Sequence, residues 1–371
     1  MRGKPQAQPD FLTVINLNQC VPADHPLRAI KRHTDAVLKK LSPLFDELYE
    51  ELGRPSIPPE QLLKARVLTA LYTVRSERLF CAQLGYNLLW LWFLDREFSE
   101  GSFERSVFAK NYERVLSADV AKLFFAEVYD LSRQGGWTSD THFTADGTLI
   151  ESWASLKSFV RKDGADAGKI QSAKDQDPGN PSVDFRGETR RNDTHQSTTD
   201  PDSVLYRKAS GQTAKLCFGG HILMENRNGL CAEFTLHNPI TEPEPVVALR
   251  QVDEHQQLHE GVAVKTVGAD KAYHRKDFVA ACRDQGIAPH VTCKERVSVP
   301  GLDGRTTGKE SYRISQRIRK RVEEIFGWLK TVGGLRRSRY RGRERTQAWG
   351  YFVAGTYNLL RLAHLELASA N

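Results

Sequence analysis

The chain has 371 residues, of which 40% are hydrophobic and 27% charged, and its formal net charge is +7. This charge suits a polyanionic partner such as a nucleic acid. No apolar run reaches the roughly 18 residues of a membrane span, and no N-terminal stretch has the form of a signal peptide. The six cysteines lack any C-x-x-C pair or nearby metal-spaced histidine, which argues against a zinc site and a disulfide framework. We therefore expect a cytoplasmic protein of about two domains, with no membrane partner.

The part of the chain up to about residue 133 has the apolar spacing of amphipathic helices. Leu62, Val67 and Leu71 recur at helical intervals behind the Pro58-Pro59 pair, which suits a first helical turn. The aromatic run 86–93 is predicted to be core. Because Gly135-Gly136 breaks the pattern, we predict an all-helical N-terminal DNA-binding and assembly domain over residues 1–135.

Strand-like patterns begin after this break, so residues 136–371 are predicted to form a second domain. The polar stretch 157–199 is expected to be a surface insertion that is partly disordered. Asn228-Gly229 predicts a type I′ hairpin. The other predicted elements, in chain order, are strands at 143–146, 214–225 and 230–236, a helix at 244–258, a strand ending at Asp270, a helix at 276–285 and a strand at 288–291.

Two aspartates directly follow runs that read as buried strands. Asp146 ends HFTAD, and Asp270 ends VAVKTVGAD. Each has an ordinary alternative, because Asp146-Gly147 is also a turn dipeptide and Asp270 is a suitable cap for a helix from about His274. Their positions at strand ends make both candidate metal ligands.

A basic helix near residue 320 carries a third carboxylate. Its apolar residues form one buried stripe, while Arg319, Glu323 and Lys330 share the remaining face. An exposed Arg319–Glu323 ion pair is the simpler interpretation of that face. Basic residues greatly outnumber acidic ones over residues 313–345, which predicts a DNA-binding surface; its candidate contacts also include Lys320, Arg321, Arg336 and Arg337.

Asp146, Asp270 and Glu323 together form an ordered Asp, Asp, Glu set. Three carboxylates of this kind can hold two divalent cations, and their hard oxygen atoms favour Mg²⁺ or Mn²⁺. Such a pair of ions supports cleavage of a phosphodiester. Tyr273 and Tyr312 are alternative nucleophiles of a recombinase, but neither lies in an Arg-His-Arg constellation.

Several further motifs occur in a fixed order along the chain. They are residues 21–28 (VPADHPLR), 56–64 (SIPPEQLLK), 146–151 (DGTLIE), 197–202 (STTDPD), 220–227 (GHILMENR) and 268–273 (GADKAY), followed by the basic helix. With these motifs the sequence resembles, nearly end to end, a DDE transposase of the bacterial insertion-sequence five group. The resemblance implies an α/β ribonuclease-H-like catalytic domain, a mixed five-stranded sheet with helices, preceded by the helical domain.

The resemblance also implies roles for individual residues. Asp146, Asp270 and Glu323 are the implied metal ligands, and Arg319 and Lys330 the implied contacts to the DNA backbone. The family's third-carboxylate signature is Tyr, two residues, Arg, three residues, Glu, six residues, Lys. This sequence has Gln316 at the tyrosine position, and Tyr312 lies one helical turn away.

The function expected from this resemblance is transposition of a bacterial insertion sequence. The protein is expected to bind terminal inverted repeats, to cleave the strand at the element end, and to join the exposed 3′-hydroxyl to target DNA. Bringing two ends together implies a homodimer or a larger assembly, associated with the nucleoid. Two alternatives remain: a catalytically silent or domesticated DNA-binding derivative, and a free-standing ribonuclease-H-like nuclease.

Overall fold

The first part of the protein is a compact set of helices. The computed structural model describes residues 16–48, 56–115, 118–163, 190–208 and 211–370. Within these ranges the prediction of a helical N-terminal region is confirmed. The helices before the first strand are α1 (Leu17–Cys20), α2 (Pro26–Leu48), α3 (Pro59–Leu71), α4 (Glu77–Leu84), α5 (Leu88–Phe93), α6 (Arg105–Val115) and α7 (Ala118–Gln134).

Local sequence signals explain where these helices begin. The Ser76 hydroxyl accepts a hydrogen bond from the backbone N–H of Leu79 at 3.1 Å, and Asn87 accepts one from Trp90 at the same distance. Both side chains satisfy backbone donors that a helix leaves unpaired at its start. The Trp90 ring then stacks on Phe80 with a centroid separation of 5.1 Å. The predicted aromatic core is therefore present in Trp90, Trp92 and Phe93, whereas Tyr86 at the start of the run is exposed. α4 and α5 meet through this core.

The remainder of the protein is built on a mixed sheet. Its strands are β1 (His142–Glu151), β4 (Val204–Tyr206), β5 (Lys215–Glu225), β6 (Cys231–His237), β7 (Thr266–Ala269) and β8 (Ala288–Val291). β5 pairs with β1 on one side and with β4 and β6 on the other. Beyond β1 the sheet continues with β7 and then β8. β1 is antiparallel to β5 and parallel to β7. The five predicted strands thus adopt the ribonuclease-H-like order, and β4 adds a short edge strand.

A small second sheet lies at the two ends of the predicted polar insertion. β2 (Phe159–Arg161) pairs antiparallel with β3 (His195–Ser197). The sequence pattern did not indicate these strands, because each has only three residues. The predicted disorder concerns mainly residues 164–189, which lie outside the described residues.

The β5–β6 hairpin forms where it was predicted, but its turn is not type I′. A type I′ turn needs positive φ at both central residues, and of the Asn228-Gly229 pair only Gly229 has one, at 74°. The buried Glu225 carboxylate instead accepts backbone N–H groups of Arg227, Asn228 and Leu230 at 2.8 to 3.0 Å. A side-chain acceptor therefore shapes a longer loop than the dipeptide alone would give.

Helices cover both faces of the sheet. They are α8 (Glu244–Leu258), α9 (Lys276–Asp284), α10 (Gly304–Thr307), α11 (Glu310–Ile318), α12 (Val322–Thr331) and α13 (Arg343–Ala370). α8 packs beside β5 and β6 on the face that carries Phe143 and Ala145, and α12 and α13 pack on the other face. Although α13 has 28 residues, no helix among the described residues is long and apolar enough to cross a bilayer.

α13 connects the sheet to the N-terminal helices. Asp200 and Asp202 of the STTDPD motif accept the backbone N–H groups of Gly342 and Arg343 at 3.2 and 2.9 Å, which anchors the start of the helix. A Cβ at Gly350 would lie only 2.0 Å from the Phe234 ring, so α13 lies directly against β6. One hydrophobic core consequently runs across the predicted domain boundary at residue 135.

Candidate catalytic site

Asp146 and Asp270 occupy matched positions on neighbouring parallel strands. The register of β1 and β7 pairs Thr144 with Gly268, and each aspartate lies two residues further along its own strand direction. Side chains two residues apart in a strand lie on the same face. Asp270 directly follows β7, as predicted. Asp146, however, lies inside β1, which continues to Glu151, so neither the predicted strand end nor the alternative turn is correct.

Each aspartate uses one oxygen in a local hydrogen bond. Oδ1 of Asp146 accepts the backbone N–H of Gly147 at 2.8 Å, and Oδ1 of Asp270 accepts that of Ala272 at 2.7 Å. Asp270 therefore does cap a helical segment, but it is the 3₁₀ turn Lys271–Tyr273 rather than a helix from His274. These bonds fix the orientation of both carboxylates.

The two carboxylates interact electrostatically. Burial raises the pKa of Asp146, and the negative charge of Asp270 raises it further, against the opposing effects of the Gly147 N–H, Lys208 and Arg319. Two like charges held close together destabilise each other. A bound cation would relieve this repulsion.

The basic helix is interrupted before the third carboxylate. We predicted one continuous helix, but α11 ends at Ile318, a 3₁₀ turn covers Arg319–Arg321, and α12 begins at Val322. The predicted buried stripe is nevertheless present in Val322, Ile325, Phe326 and Leu329. The three consecutive basic residues form this turn, and the backbone on either side of it stays in the right-handed helical region.

Arg319 is held close to β7. An ideal Cβ at Gly268 would lie 3.8 Å from Cβ of Arg319, so the arginine stem lies over the strand that leads to Asp270. Nε of Arg319 donates to Oε1 of Gln316 at 3.1 Å, and the Thr292 hydroxyl donates to the same oxygen at 2.6 Å. Gln316, at the family's tyrosine position, thus links Arg319 to the segment after β8.

Glu323 lies one turn after Arg319 and two turns before Lys330. Its side chain is exposed, and the described residues give it no ion pair, so the simple Arg319–Glu323 pair does not form. Nζ of Lys330 donates to the hydroxyl of Thr148 at 2.6 Å. The residues on either side of Glu323 on this helix face therefore contact β7 and β1, the two strands that carry the aspartates.

A fourth carboxylate, which the sequence did not suggest, lies against β1. An ideal Cβ at Gly147 would lie 2.3 Å from Oε1 of Glu244, so Glu244 occupies the space of the missing side chain next to Asp146. Burial raises the pKa of Glu244, and the charges of Asp146 and Asp270 raise it further, while Lys208 opposes them. The available sequence signal was an acidic residue in the first turn of the helix that follows β6.

Two family profiles match the chain. The "Transposase domain (DUF772)" profile matches residues 15–114, and the "Transposase DDE domain" profile matches residues 189–359. The second range contains Asp270 and Glu323, whereas Asp146 lies upstream of it. The chain belongs to the DDE transposases. Enzymes of this family catalyse DNA transposition, so the recognition made from the motifs is confirmed.

Comparisons with other proteins add little to this identification. No curated protein matches the transposase sequence. Among solved structures, a piggyBac transposase synaptic complex with hairpin DNA has 11% identity and a TM-score of 0.42, over 95% of this chain and 77% of that one. A Mos1 transposase paired-end complex with left transposon end has 10% identity and a TM-score of 0.19, over 86% and 81%. We draw no conclusion from these two similarities.

The other basic residues of the transposase differ in their contacts. Lys320, Arg321 and Arg336 are exposed. Arg337 donates to the backbone carbonyls of Ser152 and Trp153 at 3.1 and 2.9 Å. Its guanidinium therefore holds the chain after β1 in place, in addition to any contact with DNA.

The two tyrosines considered as nucleophiles are both engaged in the fold. Tyr273 is fully buried, and its hydroxyl lies 2.5 Å from Nε2 of His221. The Tyr312 hydroxyl donates to the carbonyl of Val291 at 2.9 Å, and burial is the largest cause that raises its pKa to about 12. Neither environment favours a phenolate at neutral pH, which disfavours the recombinase alternative.

Proposed function

We propose that this transposase cleaves DNA at the ends of its own insertion sequence and joins the exposed 3′-hydroxyl to target DNA. In this proposal Asp146, Asp270 and Glu323 bind two divalent cations, Mg²⁺ or Mn²⁺. The observation that supports it most directly is the β1–β7 register, because it aligns Asp146 with Asp270. The proposal also includes the terminal inverted repeats as the DNA that is recognised.

The donor groups at this site fit such cations. Asp146, Asp270 and Glu244 interact through their negative charges, and carboxylate oxygens are the ligands that Mg²⁺ and Mn²⁺ prefer. When bound, the ions activate the attacking oxygen and stabilise charge on the leaving oxygen. No covalent bond between DNA and the protein is required.

The residues of the chain position the DNA in this scheme. Arg319 and Lys330 flank Glu323, and we propose that both contact phosphates beside the scissile bond. Gln316 fixes the Arg319 guanidinium through its 3.1 Å hydrogen bond. Glu244, placed against Gly147, would hold Asp146 in position or share its cation. Exposed Lys320, Arg321 and Arg336 would extend the phosphate contacts along the DNA.

The helical N-terminal region is proposed to bind and assemble the ends. Its match to a transposase domain profile over residues 15–114 is consistent with a role within the same reaction. Because two element ends must be joined in one event, we propose a dimer or a larger assembly on DNA.

A cleavage assay tests the proposed function. Full-length protein is incubated with DNA that carries the element ends, with Mg²⁺, Mn²⁺, Ca²⁺ or a chelator, and Asp146→Asn, Asp270→Ala and Glu323→Gln are compared with wild type. Each variant is expected to retain binding while losing at least about a hundredfold in cleavage, because each removes several kcal/mol of charge stabilisation. Asp284→Ala is the matched control, since Asp284 is an exposed aspartate outside the site.

The outcomes of this assay separate the alternatives. Cleavage that persists in Asp270→Ala, or in chelator, would refute the proposed mechanism. Specific end binding without cleavage by the wild type would identify a silent derivative. Metal-dependent cleavage without preference for the element ends would identify a free-standing nuclease.

A further inference from the structure

A second group of metal-binding side chains lies in the interior, away from the candidate catalytic site. It consists of Glu233 on β6, His255 on α8 and His259 directly after α8, here called the buried His-Glu cluster. One ligand atom from each residue lies within 4.8 Å of the others. The three residues are 2%, 0% and 2% exposed. His255 follows Glu244 by three turns of α8, or about 16 Å of helix, so the cluster is separate from the carboxylates at the start of that helix.

The cluster contains buried polar atoms without partners. Among the described residues, Nε2 of His255 and Nε2 of His259 have no hydrogen-bond partner. Glu233 contacts His255 through Oε1 and Nδ1 at 3.3 Å, and no Lys or Arg in the described chain forms an ion pair with it. A buried carboxylate in this setting needs either a proton or a cation.

The geometry of the cluster suits a tetrahedral ion. His259 is the C-cap residue of α8 and has an extended backbone, and its ring lies beside that of His255, with the two centroids 4.6 Å apart. In a tetrahedral zinc site with bonds of about 2.0–2.1 Å, neighbouring ligand atoms are about 3.3 Å apart. The distance of 3.3 Å between Oε1 of Glu233 and Nδ1 of His255 agrees with that value, so Nδ1 is the nitrogen of His255 that would bind the ion.

The surroundings of His259 resemble the outer shell of a metal site. Its Nδ1 lies 2.8 Å from Oδ1 of Asp130, and Arg133 donates to the same oxygen at 3.2 Å. A histidine that binds a metal through one nitrogen commonly donates its other N–H to a carboxylate. Asp130 therefore leaves Nε2 of His259 as the nitrogen that faces an ion, and its charge balances part of the ion's charge.

We propose that the buried His-Glu cluster binds one transition-metal ion of the zinc class through Glu233, His255 and His259. Two imidazoles and one carboxylate are a donor set typical of zinc. The ion would join β6 to α8 beneath α7, because Asp130 and the Tyr129 ring of α7 contact the same histidines. Its role would be structural. We expected no zinc site from the sequence, because that expectation rested on the cysteines and the histidines near them. It did not take into account the His-x-x-x-His spacing of His255 and His259.

Metal content of the purified full-length protein tests this proposal. Protein stripped with a chelator is reconstituted with Zn²⁺ in the presence of excess Mg²⁺, desalted and measured by mass spectrometry of the metal. About one zinc per chain is expected for wild type and for Asp270→Ala, and little for His259→Gln and Glu233→Gln. His237→Gln is the control, since His237 is also buried with an unpartnered Nε2 but lies outside the cluster.

Co²⁺ reconstitution of the wild type supplies a readout that does not depend on variants that fold poorly. A tetrahedral cobalt absorption spectrum that is displaced by Zn²⁺ would support the proposal. Folded wild-type protein that retains neither metal would overturn it. Loss of zinc in Asp270→Ala but not in His259→Gln would also overturn it, because the ion would then belong to the catalytic carboxylates. Failure of DNA cleavage alone concerns the proposed function and leaves this result unaffected.

Discussion

Lys330 donates from Nζ to the Thr148 hydroxyl at 2.6 Å, which ties α12 to β1 two residues beyond Asp146. Burial lowers the pKa of Lys330, as do the nearby charges of Lys208 and Arg336. Lys330 is therefore half-buried and close to two other positively charged side chains. A DNA phosphate bound here would neutralise part of this positive charge. Because Lys330 is bonded to β1, the phosphate would lie at a fixed position relative to Asp146.

Replacing the two flanking basic residues tests this arrangement. Lys330→Ala and Arg319→Ala are each expected to weaken DNA binding similarly for all sequences and to reduce the slope of log K against log salt by about 1, because each removes one phosphate contact. Binding is measured by fluorescence anisotropy over a salt series. Lys265→Ala is the control, since Lys265 is exposed and lies at the start of β7, away from Asp270. An unchanged salt slope with relaxed sequence preference would instead identify base contacts.

Gly147→Ala is expected to impair catalysis more than folding. The new Cβ would lie 2.3 Å from Oε1 of Glu244, so the flexible carboxylate must move away, while the strand backbone tolerates alanine. We expect an unfolding free energy within about 1 kcal/mol of wild type and a midpoint for Mg²⁺ in cleavage that rises about 10- to 100-fold.

Glu244→Gln should raise the Mg²⁺ midpoint in the same direction, and the double variant should show less than the sum of the two effects, because both changes act on one carboxylate. Gly304→Ala, which also has open space around the new methyl and lies outside the site, is the control. If both Gly147→Ala and Glu244→Gln titrate with Mg²⁺ like wild type, Glu244 has no part in the site.

Asp202→Ala is expected to destabilise the protein by about 0.5–2 kcal/mol. The Asp202 carboxylate accepts the N–H of Arg343 at 2.9 Å, and loss of such a helix cap has this typical effect. Urea denaturation followed by circular dichroism measures the change. Asp193→Ala is a suitable comparison, since Asp193 is exposed and, among the described residues, its carboxylate accepts only the neighbouring Thr194 N–H. Equal stability of the two variants would show that the Asp202 contact does not anchor α13.

The burial of His221 leads us to expect a specific pH dependence of the free energy of unfolding. Burial lowers its pKa to about 3, compared with about 6.5 in an unfolded chain, so the unfolded state binds more protons between these values. Stability is therefore expected to fall as the pH decreases from about 6.5 toward 3. In His221→Gln the loss between pH 6.5 and pH 5 should be smaller by about 1–2 kcal/mol. Denaturant unfolding at both pH values measures this difference. His364→Gln is the control, since His364 is exposed, and it should lose as much stability as wild type. If His221→Gln loses as much stability as wild type between the two pH values, the expectation is contradicted.

Much of the fold was predictable because its signals are local. The helical N-terminal region, the hairpin position, α8 at residues 244–258 and β8 at 288–291 follow from apolar period and turn residues. The adjacency of β1 and β7 came from the family resemblance. The register that aligns Asp146 with Asp270 depends on packing between distant segments, which one sequence does not specify.

The features that were missed depend on contacts across the chain. Glu244 packs against β1 only because Gly147 has no side chain. Asp146 was placed at a strand end because Gly147 reads as a turn residue, whereas pairing with β5 continues the strand to Glu151. The 3₁₀ turn at Arg319–Arg321 interrupts a sequence that is otherwise a good helix former. For Asp146, pairing with a distant strand overrides the local preference for a turn.

The continuous core has a mechanical consequence. Because α13 packs against the N-terminal helices and against β6, the helical region is not a freely swinging arm. A duplex gripped by those helices would meet the carboxylates at an angle set by rigid packing rather than by a hinge. The packing of the core would then determine the position of the scissile strand relative to the carboxylates. Substitutions in the buried part of α13 would therefore change the position at which the DNA is cleaved.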